Sequence, residues 1–221
     1  MQRQLRHSKS TRERLIEAAG KLFSEKGFKE TTVKDITDVA EANVAAVNYY
    51  FRDKESLYED VMISILEGMR ESFPVDKDMD DSQSAESRLQ TLVRNLLYRF
   101  LDPERPAWQG VLLAHERMAP RPAVLSIINE EIAKTRHLLS VIVRDLLGER
   151  ATGDHIELCG SSVMGQIMSQ AQIHSPQAPP LLRKGTATRD EVEFLARHIA
   201  NFSLAGILRV RQDIETEKAV G

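Results

Sequence analysis

The chain has 221 residues, of which 42% are hydrophobic and 29% charged, which is typical of a globular protein of one large or two smaller domains. Its net charge of −3 excludes a strongly basic protein. Its single cysteine, Cys159, excludes an internal disulfide framework and fits a reducing compartment. No run of eighteen apolar residues occurs and the start MQRQLRHSKSTRER lacks a signal-peptide core, so we expect a cytoplasmic protein with no membrane segment.

Positive charge is concentrated at the N-terminus. Residues 1–34 contain nine Lys or Arg against four Glu. We interpret residues 1–9 as a basic arm that binds phosphates, with a solubilising tail as the alternative.

The first predicted helix runs from Ser10 to about Lys26. Ser10 and Glu13 have the spacing of a capping box, and Gly27 is a typical helix stop. One apolar stripe is expected to be buried, and it consists of Leu15, Ile16, Ala19, Leu22 and Phe23.

Two short helices follow, and their spacing predicts a helix-turn-helix. The first runs from about Val33 to Ala40 with Thr31 or Thr32 as its N-cap. A turn at Glu41 and Ala42 leads to a second helix, 44–50, capped by Asn43. The face expected to be buried in the first helix comprises Val33, Ile36, Val39 and Ala40.

The second helix has the composition of a recognition helix. Its small residues allow close approach to base edges in the major groove, while an amide and phenols supply hydrogen bonds. Phe51 is expected in the core, and Asp53 is expected to cap a further helix whose N-terminus, with Lys54, attracts phosphate. The predicted DNA contacts are Thr31, Thr32, Asn43, Val44, Ala45, Ala46, Asn48, Tyr49, Tyr50 and Lys54.

Residues 10–61, and above all the run AAVNYYFRDKESLY, resemble the N-terminal domain of the TetR/AcrR family of bacterial transcriptional regulators. The variant NVAAVNYYF is similar to the CecR-like subgroup. One departure is Glu41, which stands in the turn where many relatives have glycine. Glu adopts a left-handed backbone only at some energetic cost.

The remaining chain reads as helical throughout, so the predicted fold class is all-α. The expected helices are 54–73, 85–101, 107–118, 122–147, 154–174 and 188–212, with a linker or mobile loop at 74–84. We expect residues 10–60 to form the DNA-binding domain and residues 61–221 to form a larger domain for effector binding and dimerisation.

The last two predicted helices carry wide apolar stripes. A monomer could bury them in its own core, but the resemblance implies a homodimer in which they pack against their symmetry mates. The expected dimer interface consists of Val163, Ile167, Phe202, Leu204 and Ile207.

The resemblance also implies a small-molecule effector site in the central helices. Polarizable apolar groups beside a few polar ones suit such a pocket. The candidates are Trp108, His115, Glu116, Met118, Met164, Met168 and Gln170. Core packing is the alternative for the methionines, and an ordinary ion pair is the alternative for Glu116.

Enzymatic alternatives are weaker. The run GSSVMG lacks the lysine of a phosphate-binding loop, His155 and Cys159 have no second pair of metal ligands, and His115 has no accompanying nucleophile motif. We therefore expect no cofactor, no metal and no enzyme activity. The predicted function is a ligand-released repressor of a palindromic DNA operator; the alternatives are an activator, a non-inducible regulator, or a helical enzyme with a DNA-binding appendage.

Overall fold

A computed structural model describes residues 9–80, 82–118, 121–170 and 187–217. Within these ranges every regular element is a helix, which confirms the predicted all-α class. The helices are α1 (Thr11–Glu30), α2 (Val33–Val39), α3 (Val44–Phe51), α4 (Lys54–Ser72), α5 (Ala85–Leu101), α6 (Ala107–Met118), α7 (Pro122–Leu147), α8 (Gly153–Gln170) and α9 (Arg189–Glu217). None of the described helices is long and apolar enough to cross a membrane.

The helix bounds follow the sequence patterns closely. The predicted bounds of α5, α6 and α7 are confirmed to the residue. Helix α9 continues to Glu217, five residues beyond its predicted end at Gln212. For α8, the predicted residues 171–174 lie outside the described part of the chain.

The chain forms two compact units that are interleaved in sequence. The first contains Met1–Glu67 and Arg105–Ile127, and the second contains Gly68–Glu104 and Ile128–Gly221. Helix α6 therefore groups with the helices of the predicted DNA-binding domain. The functional division at residues 10–60 and 61–221 stays a prediction.

Helix α1 organises the first unit. The Ser10 hydroxyl accepts a hydrogen bond from the Glu13 amide, and the Glu13 carboxylate accepts one from the Ser10 amide, which confirms the capping box. The predicted apolar stripe of α1 is buried. Gly27 breaks the helical geometry with a φ of 82°, although one further turn follows it.

Helix α2 is buried through a different face than predicted. Ile36 and Ala40 are buried, but Val39 is 57% exposed, so its assignment to the buried face is wrong. Thr37 is buried in its place, and its hydroxyl donates to the Lys34 carbonyl. A buried threonine is tolerated because this bond satisfies its hydroxyl.

Helix α6 packs against α1 where the ring of Trp108 lies over Gly20. A Cβ added to Gly20 would lie 2.2 Å from Cζ3 of Trp108, so the indole is in direct contact with the α1 backbone. Trp108 is half-buried in this position, and its assignment as a ligand-binding residue stays a prediction.

Helices α5, α7, α8 and α9 build the core of the second unit. Val163, Ile167 and Ile207 are at most 3% exposed in the single chain, and Leu204 is partly buried against the same core. The chain therefore buries Val163, Ile167 and Ile207 itself, which contradicts their assignment to a dimer interface, whereas the assignment of Leu204 stays a prediction. Phe202 differs, since it is 65% exposed.

The predicted linker after α4 is instead fixed to the second unit. Val75 is fully buried, and the Asn95 amide donates hydrogen bonds to the carbonyls of Val75 and Lys77. Arg99 donates to the Phe73 carbonyl and forms an ion pair with Glu131 at 3.0 Å. Burial lowers the pKa of Arg99, and Glu131 opposes that shift. The described residues of this segment contain no helix or strand, as expected for a loop, and α5 holds its main chain at Val75 and Lys77.

The contact between Gly20 and Trp108 can be tested by one methyl group. We expect Gly20→Ala to destabilise the protein by about 1–3 kcal/mol, because the Cβ overpacks the indole. Gly68→Ala is the matched control: Gly68 lies within α4 with nothing within 4 Å of an added Cβ, so this change should stabilise by about 0.5–1 kcal/mol. Urea denaturation followed by circular dichroism measures both; equal stabilisation by the two changes would contradict the packing.

Candidate functional site

Helix α3 is short and amphipathic, and its cap is the one predicted. The Asn43 side chain accepts a hydrogen bond of 2.8 Å from the Ala45 amide. Val47 and Phe51 turn inward and are at most 5% exposed. These two anchors confirm the core assignment of Phe51 and fix which face of α3 remains outside.

The outer face of α3 consists of the residues predicted to read DNA. Tyr49 is 81% exposed and Tyr50 is 42% exposed, and their rings meet edge to face at 4.9 Å. Ala46 is half-buried, and the other exposed members of the predicted set are Asn43, Val44, Ala45 and Asn48. The fold thus leaves these groups accessible, and their contact with DNA stays a prediction.

The two threonines before α2 have opposite positions. Thr32 is exposed, and its hydroxyl accepts from the Asp35 amide while the Asp35 carboxylate accepts from the Thr32 amide. The bond from the Thr32 amide to the Asp35 carboxylate, followed by the Thr32 hydroxyl, holds the pKa of Asp35 below its ordinary value. Thr31 is fully buried, and its hydroxyl donates to the carbonyls of Leu22 and Gly27. Its prediction as a DNA contact is wrong, because the side chain lies in the core.

Lys54 has a structural role that the sequence did not indicate. Its ammonium donates to the carbonyls of Phe28 and Thr31 at 3.0 and 2.9 Å and lies 4.5 Å from the Phe28 ring centre. The last carbonyls of a helix have no partners within that helix, so Lys54 closes the end of α1. Asp53 caps α4 as predicted, and its bond from the Ser56 amide lowers the pKa of its carboxyl.

The turn between α2 and α3 adopts the strained conformation expected from Glu41. Glu41 has a φ of 50°, the left-handed region that favours glycine. Arg14 of α1 donates to the Ala40 carbonyl at 3.0 Å and to the Glu41 carbonyl at 3.4 Å. The guanidinium of Arg14 therefore stabilises the turn through its main-chain carbonyls.

Exposed cations lie directly after α3 and on helix α2. Arg52 directly follows α3 with a φ of 74°, and its side chain is 86% exposed beside Asp53. Lys34 is 77% exposed and pairs with Asp38. Surface pairs of this kind contribute little to stability, so both cations remain able to face phosphate. Residues 1–8 of the predicted arm lie outside the described residues, while Lys9 pairs with Glu17.

A cleft of about 280 Å³ in the first unit contains two of the predicted ligand residues. His115 is exposed at the cleft, and Glu116 is only 4% exposed. Glu116 accepts hydrogen bonds from the Tyr58 hydroxyl at 3.0 Å and from the Arg121 amide at 2.6 Å. Burial, and then the bond to Glu116, raises the pKa of Tyr58 to about 12, so the phenol keeps its proton at neutral pH. The lining consists of Phe23, Phe28, Tyr58, Leu112, His115, Glu116 and Arg121.

The other predicted ligand residues are not part of this cleft. Met164 is partly buried against the core of the second unit, Met168 is half-buried, and Gln170 donates to Ser169. The side chain of Met118 lies outside the described part of the chain. Among the described residues no three His, Cys, Asp or Glu side chains gather in a way that could hold a metal.

Comparison with protein families matches two separate parts of the chain. Residues 85–207 match the C-terminal domain of the HTH-type transcriptional dual regulator CecR. Residues 15–61 match the bacterial regulatory proteins of the TetR family.

Individual relatives agree with these matches. The chain is 35% identical to the HTH-type transcriptional regulator YttP of Bacillus subtilis over 88 residues, which cover 40% of this chain and 42% of that protein. It is 38% identical to the transcriptional repressor NicS of Pseudomonas putida over 63 residues, or 28% of each chain. The matched segments thus span less than half of these relatives.

The same fold occurs in solved structures. A TetR-like transcriptional regulator from Rhodococcus sp. RHA1 superposes with a TM-score of 0.63 at 20% identity, and the match covers 91% of this chain and all of that one. The match to the CecR C-terminal domain spans more than half of the chain and follows the N-terminal TetR match after 23 unmatched residues. This chain therefore belongs to the TetR family of bacterial regulatory proteins, with a C-terminal domain of the CecR type.

Proposed function

We propose that the protein is a dimeric transcriptional repressor that binds a palindromic DNA operator through α3 and releases it when a small molecule binds. The observation that carries this proposal is the outer face of α3, where Asn48 and Tyr49 stay exposed while Val47 and Phe51 anchor the helix. A protein with this function acts in the bacterial cytoplasm.

The residues on α3 divide into two roles. Asn48 carries an amide that can pair with the edge of adenine, and Ala45 is small enough to allow a thymine methyl group to approach. Tyr49, Thr32 and Arg52 are exposed and carry polar groups that suit the phosphate backbone, which fixes the register of the helix on DNA.

A dimer is supported by a separate apolar surface in the second unit. Leu158 of α8 and Phe194 and Phe202 of α9 are 66%, 56% and 65% exposed. Phe194 and Phe202 are eight residues apart and therefore share one stripe of α9. We call Leu158, Phe194 and Phe202 the exposed apolar face. A symmetric dimer through this face covers apolar side chains that one chain leaves in water.

The family match also favours a second candidate, an activator or a regulator with both activities, because the matched C-terminal domain is named for a dual regulator. NicS, by contrast, is named a repressor. A reporter gene under the operator, measured with and without the protein, separates repression from activation. Enzymatic activity has no such support, since the family and the fold are those of transcriptional regulators.

Replacing Asn48 tests base reading. We expect Asn48→Ala to weaken binding to the operator by roughly 1–3 kcal/mol and to leave binding to random DNA nearly unchanged. Fluorescence anisotropy with both DNAs measures the difference. Equal losses on both would show that Asn48 only positions the helix.

Replacing Lys54 separates its structural role from phosphate binding. Lys54→Met removes two charge-assisted bonds to carbonyls, so we expect a loss of stability of about 3 kcal/mol or more. The slope of log affinity against log salt should stay unchanged, while Arg52→Met lowers it by about one unit. A salt titration measures both variants; a lower slope for Lys54→Met would contradict its assignment to the α1 end.

Replacing Phe202 tests the dimer. We expect Phe202→Glu to yield folded monomers that lose operator affinity, because two half-sites about 34–36 Å apart need two linked recognition helices. Ile132→Glu is the matched control, since Ile132 is 49% exposed on α7 and outside the exposed apolar face. Sedimentation at micromolar concentration decides between the outcomes. A Phe202→Glu variant that remains dimeric would contradict a dimer through the exposed apolar face.

A further inference from the structure

Three aromatic rings and one buried carboxylate meet beside the cleft of the first unit. Phe23, Phe28 and Tyr58 lie with their ring centres 5.2 to 5.5 Å apart. The Glu116 carboxylate accepts the Tyr58 hydroxyl hydrogen bond, and its side chain is 3% exposed. We call these four residues the aromatic cage. Ring faces carry negative potential, so rings and carboxylate together favour a cation.

The guanidinium of Arg121 is held by this cage. It lies 3.7 Å from the ring centre of Tyr58 and 4.7 Å from that of Phe28. Its Nη1 is 3.5 Å from Oε2 of Glu116. An aromatic face and a buried carboxylate are the groups that recognise organic cations in proteins. Here the cation is the chain's own guanidinium, that of Arg121.

Arg121 holds this place loosely. Its side chain is 30% exposed, and the 3.5 Å ion pair is longer than the 2.7–2.9 Å of a strong charge-assisted bond. The cleft of about 280 Å³ opens beside it, with His115 also in the lining. A small molecule can therefore approach the same ring faces and the same carboxylate without unfolding either helix.

We propose that the aromatic cage is a binding site for a small planar organic cation, which replaces the guanidinium of Arg121 between the rings and Glu116. The ligand class is an amidinium or guanidinium carried on an apolar body. Its charge meets Glu116, its plane lies against Tyr58 and Phe28, and its apolar part fills the cleft beside Leu112. Arg121 acts as the occupant when no ligand is present.

The site lies where α6 is joined to the DNA-binding helices. Glu116 of α6 is bonded to Tyr58 of α4, and Trp108 of α6 packs on Gly20 of α1. A ligand that displaces Arg121 therefore changes a contact of the helices that support α3. This regulatory consequence rests on the proposed function, whereas binding to the cage does not.

The binding test uses the full chain and a pair of matched probes. Phenylguanidinium is a planar cation, and phenylurea is a neutral molecule of nearly the same shape. Trp108 is the single tryptophan and precedes Leu112 by one helical turn, so its fluorescence reports on the cleft. We expect saturable binding of phenylguanidinium, and binding of phenylurea about tenfold weaker or more, by fluorescence and calorimetry.

Two variants should change this affinity in opposite directions. Glu116→Gln removes the charge and keeps one acceptor oxygen, which can serve either the Tyr58 hydroxyl or the Arg121 amide. Phenylguanidinium should therefore bind about tenfold more weakly. Arg121→Ala removes the guanidinium from Tyr58 and Glu116, although Lys54 stays 4.5 Å from the Phe28 ring centre. The probe should therefore bind more tightly than to the original protein. Arg121→Lys keeps a cation at the position and should not show that gain. Arg209→Ala, which removes an exposed cation of α9, should have no effect.

A purely structural role of the cage gives a different result. In that case both Glu116→Gln and Arg121→Ala would lower stability, and no saturable binding would appear in the original protein or in either variant; this result overturns the site. Equal affinity for phenylurea, or a preference for benzoate, would also overturn it, because the site would then not select cations. Circular dichroism confirms that each variant is folded before its titration is interpreted, and Arg121→Gln replaces Arg121→Ala if the latter does not fold.

A second arm measures operator affinity with the probe present. Phenylguanidinium should weaken operator binding by the original protein and not by Glu116→Gln. If no operator is found, the proposed function fails while the binding titrations still decide the site. Binding without any effect on operator affinity would refute the regulatory consequence alone.

Discussion

The burial of α1 on two sides is the constraint on which the first unit depends. Its apolar stripe supports α2 and α3, and Gly20 on the same helix receives Trp108 of α6. A residue larger than glycine would hold α6 away from α1, because the indole already lies within contact distance of the α1 backbone. Helix α1, which supports α3, is therefore also the helix that contacts α6. Displacement of α6 cannot leave the support of α3 unchanged, since close-packed interiors transmit small shifts.

Long polar side chains hold the ends and connections of the helices in both units. Carbonyls at a helix end have no partner within the helix, and burying them unpaired costs free energy. Arg14 donates hydrogen bonds to the carbonyls of the turn after α2. These bonds explain how Glu41 can hold a left-handed conformation that costs roughly 1–2 kcal/mol. Lys54 serves the end of α1 in the same way. In the second unit, Asn95 and Arg99 do so for the connection after α4.

The sequence predicted the helices well because caps and apolar periodicity are local properties. Ser10, Asn43 and Asp53 each cap the helix they were expected to cap. Partners distant in sequence could not be predicted in this way. A wide apolar stripe in α8 and α9 does not reveal which residues the chain buries itself, so Ile207 was assigned to a dimer although it lies in the core. The contacts of Trp108 and Lys54 within the chain were not predicted for the same reason, because their partners lie 88 and 23 residues away in α1 and at its end.

The exposed aromatic side chains have a different origin from the buried ones. Tyr49 in the first unit and Phe202 in the second are 81% and 65% exposed, so folding of one chain gains little from either. A polar residue at each position would leave the two cores intact, since Val47 and Ile207 provide the buried contacts of the same helices. Where exposed apolar groups form a contiguous patch, they mark an interaction surface. Under the proposed function, that surface is DNA for Tyr49 and the same helix of a second copy for Phe202. The two predicted contacts are thus linked, because a recognition helix of eight residues reads too few base pairs alone, and the second copy brings a second helix to the adjacent half-site.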